Sequence, residues 1–507
     1  MGKRKREHEL QNHLTNGSGV HVAKKPSSRT KSPPFQQTIS KPEAIKGNVH
    51  DANKLLSPVV LQVVTGTYDK VLHGFSATIS DLHENKKDSA PVKFADTFMF
   101  KAHDSSIRCL AISPPTHHSE KVILASGGSD QVINLYSLST ASFPLSSAQG
   151  LSKPSLTGNE IRENARNKEV GSLQYHAGAI NTLVFPTRSK LLSAADDNTI
   201  GVTRTRDWTV LSTIKAPVPK APGRPSGDTA PNGVGPAGVN GLAIHPSMKL
   251  MLSVGKGEKC MRLWNLVTGK KAGVLNFERD LLERIGETKH SSGEGRNVAW
   301  NASGDEFAIS FERGCVVYGI DSKVKGYIFP SPRTKLHHLA YMSSSSGTEQ
   351  SRILLTLSTE DGRILLYSRT SRDDNGEDAS QVPSPNRRIE PCAQLGESAA
   401  GLSGRIKDFE IVSLPEYKCH CIVAGSSDGA IRFWSVNDSQ LDAASSDPSQ
   451  EQADNINSRG KDTDQGLSVP HIGRLLGTHE GGHRITCLKA FRMSISPVNV
   501  SNGSTPV

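Results

Sequence analysis

The sequence is poor in aromatic residues and cysteines, and it lacks long apolar runs. Phe, Tyr and Trp together make up 5% of the 507 residues. The seven cysteines are scattered without a CxxC pair, which argues against a disulfide framework and favours a reduced, intracellular compartment. No stretch approaches the roughly 20 apolar residues of a membrane-spanning helix, so no membrane association is predicted.

The first residues also lack the pattern of a secretory signal, because no apolar segment follows the charges of MGKRKREHEL. Ten Lys or Arg against three Glu give residues 1–50 a charge of +7, out of a formal +10 for the whole chain. We predict a disordered basic tail over residues 1–57. The alternatives for its basic cluster are an ordinary solvated tail and a nuclear-import signal, which we favour. The cluster consists of Lys3, Arg4, Lys5 and Arg6.

The stretch 241–271 shows what the rest of the chain repeats. Read with a period of two, it predicts three short strands at Leu242–Ile244, Leu250–Val254 and Cys260–Trp264. Short β-rich runs with Gly, Pro and charged residues between them are typical of an antiparallel meander. Such a small sheet cannot bury both faces alone, so the unit should recur.

The unit does recur, with an acidic residue six positions before an aromatic residue. The pairs are Asp69–Phe75, Asp130–Tyr136, Glu258–Trp264, Glu312–Tyr318, Asp361–Tyr367 and Asp428–Trp434. A seventh acid, Asp197, has Thr203 at the aromatic position. The fold predicted from seven units in one spacing is an all-β, seven-bladed β-propeller.

The acid of each unit has a structural task in this fold. It lies in a tight turn between two strands, where a carboxylate can accept backbone N–H groups and a bond from a histidine one strand away. His–Ser–Asp–aromatic sets of this kind resemble the WD40 repeat, in which they are structural. The predicted network comprises His103, Ser126, Asp130, His176, Ser193, Asp197, Glu258, Trp264, Asp361, Asp428 and Trp434.

The propeller is predicted to span residues 58–492, followed by a disordered C-terminus over 493–507. The strand missing from the first unit is found near the end of the chain, at residues 484–491, so both ends should build one blade and close the ring. Long insertions rich in Ser, Pro, Gly, Asp and Asn are predicted to be loops without a core of their own. They lie at 141–170, 215–238, 276–294, 371–400 and 437–470.

No catalytic, cofactor or metal site is predicted. His103, Ser126 and Asp130 have the residue types of a hydrolase triad, but the same types recur at His176, Ser193 and Asp197. An active site is normally unique, whereas a structural bond network is copied from blade to blade. The chain is therefore predicted not to be an enzyme.

A propeller with long loops and no catalytic set is normally a docking platform for partners. The turns before the third strands project to one end of the ring, where Lys256, Lys259 and Arg313 are candidate exposed cations for partner binding. The alternative is that these residues are solubilising charges. A closed ring without free sheet edges is also predicted to be a monomer.

Several segments resemble one family, the PAK-interacting WD-repeat proteins. They are GTYDKVLHGF (66–75), KAHDSSIRCLAI (101–112), HAGAINTLVF (176–185), LLSAADDNTIGV (191–202) and AIHPSMKLMLSVGKGEKCMRLWNLVTGKKA (243–272). The fungal members of that family are nucleolar factors for large-ribosomal-subunit assembly. The resemblance implies residence in the nucleus and nucleolus, binding to the pre-ribosomal large-subunit particle through assembly factors or rRNA, and no catalysis. It also implies an alternative role, in which the chain binds and negatively regulates a Rac/Cdc42-activated, PAK-type kinase.

Overall fold

The structure is a computed structural model that describes most of the chain after residue 57. The described residues are 58–80, 82, 91–116, 119–141, 152–154, 160–219, 237–288, 291–343, 352–368, 387–396, 404–445 and 469–494. The predicted tail over 1–57, with its import cluster, lies outside them. Among the helices described, none is long and apolar enough to cross a membrane.

Strands dominate the described ranges. The first three are β1 (Val59–Thr67), β2 (Val71–Ile79) and β3 (Val92–Lys101). The next six are β4 (Ile107–Ile112), β5 (Lys121–Gly128), β6 (Ile133–Ser139), β7 (Ser152–Pro154), β8 (Glu160–Arg162) and β9 (Lys168–Leu173). They are followed by β10 (Ile180–Thr187), β11 (Lys190–Ala195), β12 (Thr199–Arg204) and β13 (Val210–Lys215).

The second half of the chain continues the pattern, with two short helices. Its first elements are β14 (Val239–Ile244), β15 (Leu250–Gly255), β16 (Cys260–Asn265), β17 (Lys270–Asn276) and α1 (Arg279–Arg284). Next are β18 (Asn297–Trp300), β19 (Glu306–Ser310), β20 (Cys315–Gly319), β21 (Val324–Ile328), β22 (Leu336–Ser343), β23 (Ile353–Thr359), β24 (Ile364–Ser368) and β25 (Ala393–Leu395). The last are β26 (Ile406–Leu414), β27 (Cys419–Ser426), β28 (Ala430–Asn437), α2 (Asp438–Ser445), β29 (Arg474–Glu480) and β30 (Ile485–Arg492).

The strands form seven four-stranded antiparallel sheets, the blades of a seven-bladed β-propeller. From the inner to the outer strand, blade 1 is β4-β5-β6-β9, blade 2 is β10 to β13, and blade 3 is β14 to β17. Blades 4, 5 and 6 are β18 to β21, β22 to β25 and β26 to β29. A separate two-stranded sheet, β7-β8, lies in the sequence between the third and fourth strands of blade 1.

Blade 7 joins the two ends of the propeller. Its inner strand is β30, which pairs antiparallel with β1, and β2 and β3 complete the sheet. In this register Thr65 lies opposite Leu488 and Leu61 lies opposite Arg492. The closing strand therefore lies where the sequence placed it, and the N-terminal sheet has no free inner edge.

The hydrophobic core lies between blades rather than inside a single centre. Seven clusters of buried side chains are present in the described part, and each combines residues of two adjacent blades. The cluster between blades 1 and 2, for example, joins Leu135 to Ile180 and Leu191. The cluster between blades 6 and 7 joins Phe433 to Leu488. Each blade is thus held by both of its neighbours.

Two of the predicted loop insertions contain helices that add to this core. In 276–294, helix α1 and the residue after it bury Leu282 and Ile285 in the cluster between blades 3 and 4. In 437–470, helix α2 buries Leu441 in the cluster between blades 5 and 6. These insertions were predicted to be loops without a core of their own; each instead contains a short helix, and one apolar helix face is enough to cover the edge of a blade interface.

The other insertions and the C-terminus are described only in part. Segment 141–170 contains β7 and β8, and 371–400 contains β25, the fourth strand of blade 5. Most of 215–238 lies outside the described residues. At the end of the chain, Met493 is 5% exposed and its backbone N–H donates to the Val60 carbonyl at 2.8 Å, so the ordered chain extends past the predicted boundary at 492.

Candidate functional site

One residue near the start of each inner strand occupies an equivalent position, two residues before a buried apolar residue. These seven residues, called the channel ring below, are Arg108, Asn181, Asn240, Arg296, His337, Lys407 and Thr486. In six blades, all except blade 4, the ladder shifts register at this residue. A bulge leaves one residue unpaired and changes the direction of its side chain. Two positions later each strand buries an apolar residue, such as Leu110 or Leu183.

The channel ring links neighbouring blades through hydrogen bonds. The Asn181 amide donates to the Val239 carbonyl at 2.9 Å, and the Asn240 amide donates to the Gly295 carbonyl at 3.0 Å. At the closure, the Thr486 hydroxyl donates to the Ile107 carbonyl at 2.6 Å. These bonds satisfy backbone carbonyl groups of the next blade.

A cavity of about 280 Å³ lies at this end of the ring. Its lining comes from blades 1 to 4 and consists of Arg108, Asn181, Asn240, Glu294, Arg296 and Asn297. Blades 1 and 4 are not neighbours, so a cavity that touches both must lie on the axis of the propeller. The face of the propeller around this opening, where each inner strand begins, is called the top face below.

Blades 4 to 7 contribute several cations to the top face, some of them paired with Glu312 and Glu360. Lys407 Nζ lies 3.3 Å from His337 Nε2. Burial, together with the charges of Lys407 and Arg296, lowers the pKa of His337 to about 4. Burial and the nearby Arg405 and Arg484 also lower the pKa of Lys407. At neutral pH His337 is therefore uncharged, and its ring nitrogen can accept a hydrogen bond from the Lys407 ammonium group.

The three cations predicted for partner binding differ in their surroundings. Lys256 is only partly exposed, since its ammonium group forms an ion pair with Asp196, which also binds Arg108 at 3.3 Å. It is therefore not the freely exposed cation that the sequence suggested. Lys259 and Arg313 are exposed. Their role in partner binding stays a prediction.

Neither the surroundings of Lys259 nor most cations of the top face were predicted from the sequence. Lys259 borders a second cavity, of about 230 Å³, together with Arg279 and Glu283. Arg296, Lys407 and Arg484 immediately precede or begin inner strands, a position that three-strand units do not single out. Arg296 and Lys407 each lie two positions before a buried apolar residue, Val298 and Phe409, and Arg484 lies immediately before the buried Ile485.

The predicted His–Ser–Asp sets are brought together in blades 1 and 2. In blade 1, His103 Nδ1 lies 3.0 Å from Asp130 Oδ2, and His103 Nε2 lies 2.8 Å from the Ser126 hydroxyl. The backbone N–H of Asp104 donates to Asp130 at 2.9 Å. Each set ties the turn between the second and third strands to the loop that enters the same blade. His103 is 4% exposed, and burial lowers its pKa more than Asp130 raises it.

Blade 2 repeats the arrangement with one substitution. His176 lies 3.1 Å from Asp197 and 2.7 Å from the Ser193 hydroxyl. Thr203 occupies the position where the other units have an aromatic residue, and the hydroxyl of Tyr175 approaches it at 3.0 Å. Tyr175, the residue before His176, therefore supplies the aromatic ring that is missing at Thr203.

In blades 3, 5 and 6 the turn acid pairs with an arginine instead of a histidine. Arg262 donates to Glu258 through both amino groups, one at 2.6 Å, and Arg432 donates to Asp428 at 3.2 Å. Arg363 donates to Asp361 at 2.6 Å. These arginines were not singled out from the sequence, although in blades 3 and 6 each lies four positions after its acid.

The two tryptophans of the predicted network are buried between blades. The indole N–H of Trp264 donates to the Ser253 hydroxyl at 2.8 Å, and Trp264 packs between blades 2 and 3. Trp434 packs in the cluster between blades 5 and 6. Both residues therefore contribute to the core.

One buried group at the seam of blades 6 and 7 has the residue types of a metal site. His73, Asp96 and His479 hold their donor atoms within 4.8 Å of one another. His73 Nε2 lies 2.8 Å from Asp96 Oδ1, a hydrogen bond, and His479 Nε2 lies 3.5 Å from the same oxygen. Three protein ligands are fewer than the four of a structural zinc site. The two imidazoles thus serve as neighbours of a buried carboxylate, whose pKa they help to lower against the effect of burial.

Comparisons with known proteins agree with this architecture. The family described as WD domain, G-beta repeat, matches residues 95–137 and 167–202. The first match begins in β3, the outer strand of blade 7, and ends in the third strand of blade 1, so the sequence repeat is offset from the blade by one strand.

The chain is also similar to curated proteins over most of its length. It is 26% identical over 396 residues to "Protein MAK11" of Saccharomyces cerevisiae, covering 74% of this chain and 78% of that protein. It is 24% identical over 379 residues to "p21-activated protein kinase-interacting protein 1-like" of Danio rerio, covering 74% of each chain. It is 24% identical over 310 residues to "Shk1 kinase-binding protein 15" of Schizosaccharomyces pombe, covering 60% of this chain and 68% of that protein.

Proposed function

Because this chain is a seven-bladed WD40 β-propeller that resembles the PAK-interacting WD-repeat proteins, we propose that it is a scaffold in assembly of the large ribosomal subunit. The observation that carries the proposal is the similarity to a fungal protein over 74% of this chain. The fungal members of the family it resembles act in the maturation of precursor large-subunit particles. In this role the propeller binds assembly factors or rRNA of the particle.

A scaffold role requires no catalysis. Several features of the chain also argue against catalytic activity. The two His–Ser–Asp sets are copies of one structural arrangement, with His103 and His176 only 4% and 5% exposed. A substrate cannot reach imidazoles that are buried and bonded on both ring nitrogens. None of the relatives described above has the name of an enzyme.

The proposed location is the nucleus and nucleolus. The support is the basic cluster Lys3–Arg6, whose four consecutive cations are typical of import signals. A fluorescent fusion of the full chain should concentrate in nucleoli. Replacement of Lys3, Arg4, Lys5 and Arg6 by Ala should move it to the cytoplasm, whereas replacement of Lys24 and Lys25 should leave it nucleolar.

The central test is sedimentation of a tagged full-length copy from gently lysed cells through a sucrose gradient, with and without RNase. We expect the protein to sediment with large-subunit precursors and to move to the top of the gradient after RNase. A peak at the top in both samples contradicts the proposal.

A second candidate function is binding and negative regulation of a PAK-type kinase. The observation that favours it is the names of two relatives, which describe those proteins as p21-activated kinase-interacting and Shk1 kinase-binding. Here the expected result is capture of the purified chain by the regulatory region of such a kinase. Capture combined with a peak only at the top of the gradient would favour the adaptor over the assembly factor.

A further inference from the structure

The face opposite the top face, called the bottom face below, is formed by two sets of turns. Each inner strand begins at the top face, so the turn that follows this strand lies at the bottom. Because the strands of a blade are antiparallel, the turn between the third and fourth strands lies there too. In blades 2 and 3 the segments that contain these turns are 187–190, 204–210, 245–250 and 265–271.

The bottom face of blades 2 and 3 has a strong excess of positive charge. The four segments contain seven Lys or Arg residues but one acid, Asp207. The Asp207 carboxylate pairs with Arg204 at 2.6 Å, so these two charges offset each other. Six cations remain without a counter-charge in these segments, and they are Arg188, Lys190, Arg206, Lys249, Lys270 and Lys271.

None of the six cations pairs with a carboxylate in the part of the chain that the structure describes. All are exposed except Arg188, which is partly buried and bonded to neutral acceptors. The Arg188 guanidinium donates to the hydroxyls of Thr116 and Ser119 at 3.1 and 2.8 Å. It also donates to the Lys121 carbonyl at 2.7 Å. These bonds fix the guanidinium but leave its charge uncompensated, and clustered charges of one sign attract anions.

The four segments form one surface across the two blades. In blade 3 the backbone N–H of Leu266 donates to the Lys249 carbonyl at 2.8 Å, which joins the two turns of that blade. In blade 2 the N–H of Thr205 donates to the Ser189 carbonyl at 3.0 Å in the same way. Leu266 and Val184 pack against the same cluster between blades 2 and 3. The cations of both blades therefore lie on adjoining turns.

Other bottom turns in the described ranges are closer to neutral. In blade 4, Lys323 pairs with Asp321 at 3.4 Å, and Asp305 is a further exposed acid. In blade 1, Arg166 pairs with Glu120 at 3.0 Å. The unpaired positive charge is thus concentrated in blades 2 and 3.

We infer that the bottom face of blades 2 and 3 binds the phosphate backbone of an RNA helix. Cations that contact phosphates release condensed counterions, which supplies most of the affinity in binding that does not depend on sequence. Such contacts position a protein on nucleic acid without reading its bases. The inference rests on the proposed scaffold function, and it names the RNA of the particle as the partner of this face.

The aromatic residues of the four segments favour a helix over a single strand. Proteins that bind single-stranded nucleic acid present aromatic rings on which bases stack. Trp208, the one Phe, Tyr or Trp of these segments, packs against the cluster between blades 1 and 2. His245 is held between the Ser247 hydroxyl and the Gly304 carbonyl, at 2.8 and 3.0 Å. Double-stranded RNA needs no stacking rings, because it is recognised through its shape, phosphates and 2′-hydroxyl groups.

An acidic protein segment is a less suitable anion for this face. Recognition of a peptide normally uses a groove, pockets for side chains or a free sheet edge. Neither of the two cavities described above is lined by a residue of the four segments. Exposed cations on adjoining turns match a helix better, because each of its phosphates carries a charge at regular spacing.

The test measures binding of labelled probes to the purified full-length chain by fluorescence anisotropy at several salt concentrations. The probes are a 20-base-pair RNA duplex, a single strand of 20 uridines and a 12-residue peptide that alternates Glu and Ser. We expect the duplex to bind most tightly, with an affinity that falls as the salt concentration rises. The basic tail is present in every variant, so it does not account for differences between variants.

A triple substitution in blade 3 locates the contact. Lys249→Gln, Lys270→Gln and Lys271→Gln together should weaken duplex binding at least about tenfold. The slope of log affinity against log salt concentration should decrease by about two to three, since each lost phosphate contact removes about one. If this variant does not fold, as judged by its melting temperature, Lys190→Gln with Arg206→Gln provides the test from blade 2, with a slope reduced by about two.

A matched triple substitution is the control. Lys70→Gln, Lys215→Gln and Arg333→Gln remove the same number of exposed charges outside the four segments. None of these three residues forms an ion pair among the residues that the structure describes. The control variant should bind the duplex like the wild type, with an unchanged salt slope.

Each outcome decides the inference. Unchanged duplex binding in the folded blade 3 or blade 2 variant overturns it, and so does equal weakening in the control variant. Loss of uridine or peptide binding in the blade 3 variant, without duplex binding by the wild type, overturns it and assigns the face to a single strand or an acidic protein. Sedimentation with large-subunit precursors is a separate measurement, so failure of the duplex experiment and failure of the scaffold proposal are distinguishable.

Discussion

At the scale of single residues, the same polar set performs the same structural task in two blades. His103 and His176 each connect a buried serine to the acid of a turn, and each is almost fully buried. A buried polar group that loses its partner costs its full desolvation penalty, whereas the bond itself contributes little net stability. The importance of these histidines therefore lies in keeping Asp130 and Asp197 paired.

Replacing His103 by Ala tests this role. The substitution leaves the Ser126 hydroxyl and the Asp130 carboxylate without their imidazole partner, and we expect a loss of about 1–3 kcal/mol in the free energy of unfolding. Urea denaturation followed by circular dichroism measures it. His483→Ala is the control, because His483 is partly exposed and only approaches Asp69 at 3.5 Å, and its loss should stay below about 0.5 kcal/mol. Similar losses in both variants would contradict the structural role.

Histidine titration predicts a stability that depends on pH. Burial lowers the pKa of His103, His176, His337, His338 and His420, in the case of His337 to about 4. The unfolded histidine has a pKa of about 6.5. Below that pH the unfolded chain binds more protons than the folded chain, so stability is complete above about pH 6.5 and falls as the pH decreases.

The expected result is a melting temperature that decreases between pH 7 and pH 5. The aspartates with lowered pKa values, such as Asp197, do not contribute in this window, because they titrate below about 4 in either state. His337→Gln removes one of the titrating groups and should make the decrease smaller. A melting temperature that is constant or rises toward pH 5 would contradict the buried, neutral histidines.

Only some residues of the site could be predicted from the sequence. His103, Ser126 and Asp130 can be predicted because spacing within a repeat fixes which strand each residue joins. Arg262 and Arg432 occupy strand positions where an arginine is commonly a surface residue, so their pairing with Glu258 and Asp428 emerges only from the folded hairpin. The channel ring was missed for a related reason, since a bulge cannot be recognised from hydrophobic alternation.

At the scale of elements, the sequence predicts the inner strands of the blades better than the outer ones. The inner and middle strands are apolar, and β27 is buried at all eight positions. Two of the outer strands are exposed or short: β13 is exposed at five of its six residues, and β25 has only three residues. Strands with little apolar surface leave no periodic signal, which explains why only three strands could be identified in the stretch 241–271, without the fourth strand β17.

Glycines in second strands let neighbouring blades pack closely. A Cβ atom at Gly127 would lie 2.6 Å from Ile180 Cγ2 in the next blade, and one at Gly66 would lie 2.6 Å from Ile107 Cγ2. Gly425 has the same relation to Ile485, at 2.9 Å. The isoleucine that precedes the channel ring residue thus packs against a glycine of the blade before it, at three interfaces.

Gly127→Ala should therefore overpack the interface of blades 1 and 2. We expect a loss of about 1–3 kcal/mol in the free energy of unfolding, measured by chemical denaturation. Gly273→Ala is the control, because the nearest atom to its added Cβ, in Leu263, lies 3.9 Å away. That variant should keep the stability of the wild type.

A double substitution locates the overpacking at Ile180. Gly127→Ala combined with Ile180→Ala should be less destabilised than the sum of the two single changes, because the added methyl group enters the space that the isoleucine leaves. Strictly additive losses would contradict the contact between the two residues.

At the scale of the whole molecule, stability comes from a closed set of interfaces. Seven clusters of buried side chains lie between seven blades, so every blade has two partners. Recurrence of one acid-to-aromatic spacing was enough to predict this architecture, because a repeat that cannot bury its own faces must stack on copies of itself. The helices α1 and α2 were not predictable in the same way, because they occur once each and follow no repeat.

Ring closure depends on β30, so removal of this strand should affect the stability of the entire propeller. A chain that ends after residue 481 loses the inner strand of blade 7, and with it Ile485 and Leu488 from the cluster between blades 6 and 7. It also loses Cys487 and Phe491 from the cluster between blades 7 and 1. Because both interfaces of one blade are removed together, we expect the loss of a cooperative thermal transition rather than a small shift.

A shorter deletion separates closure from simple truncation. A chain that ends after residue 494 keeps β30 and also Met493, whose backbone bonds to Val60, so its melting temperature should equal that of the full chain. Calorimetry of both deletions is the measurement. A cooperative transition at the wild-type temperature in the chain ending at 481 would mean that six blades and an incomplete seventh are stable without a closing strand. In that case the contacts between blades, and not the pairing of β1 with β30, would account for the stability of the ring.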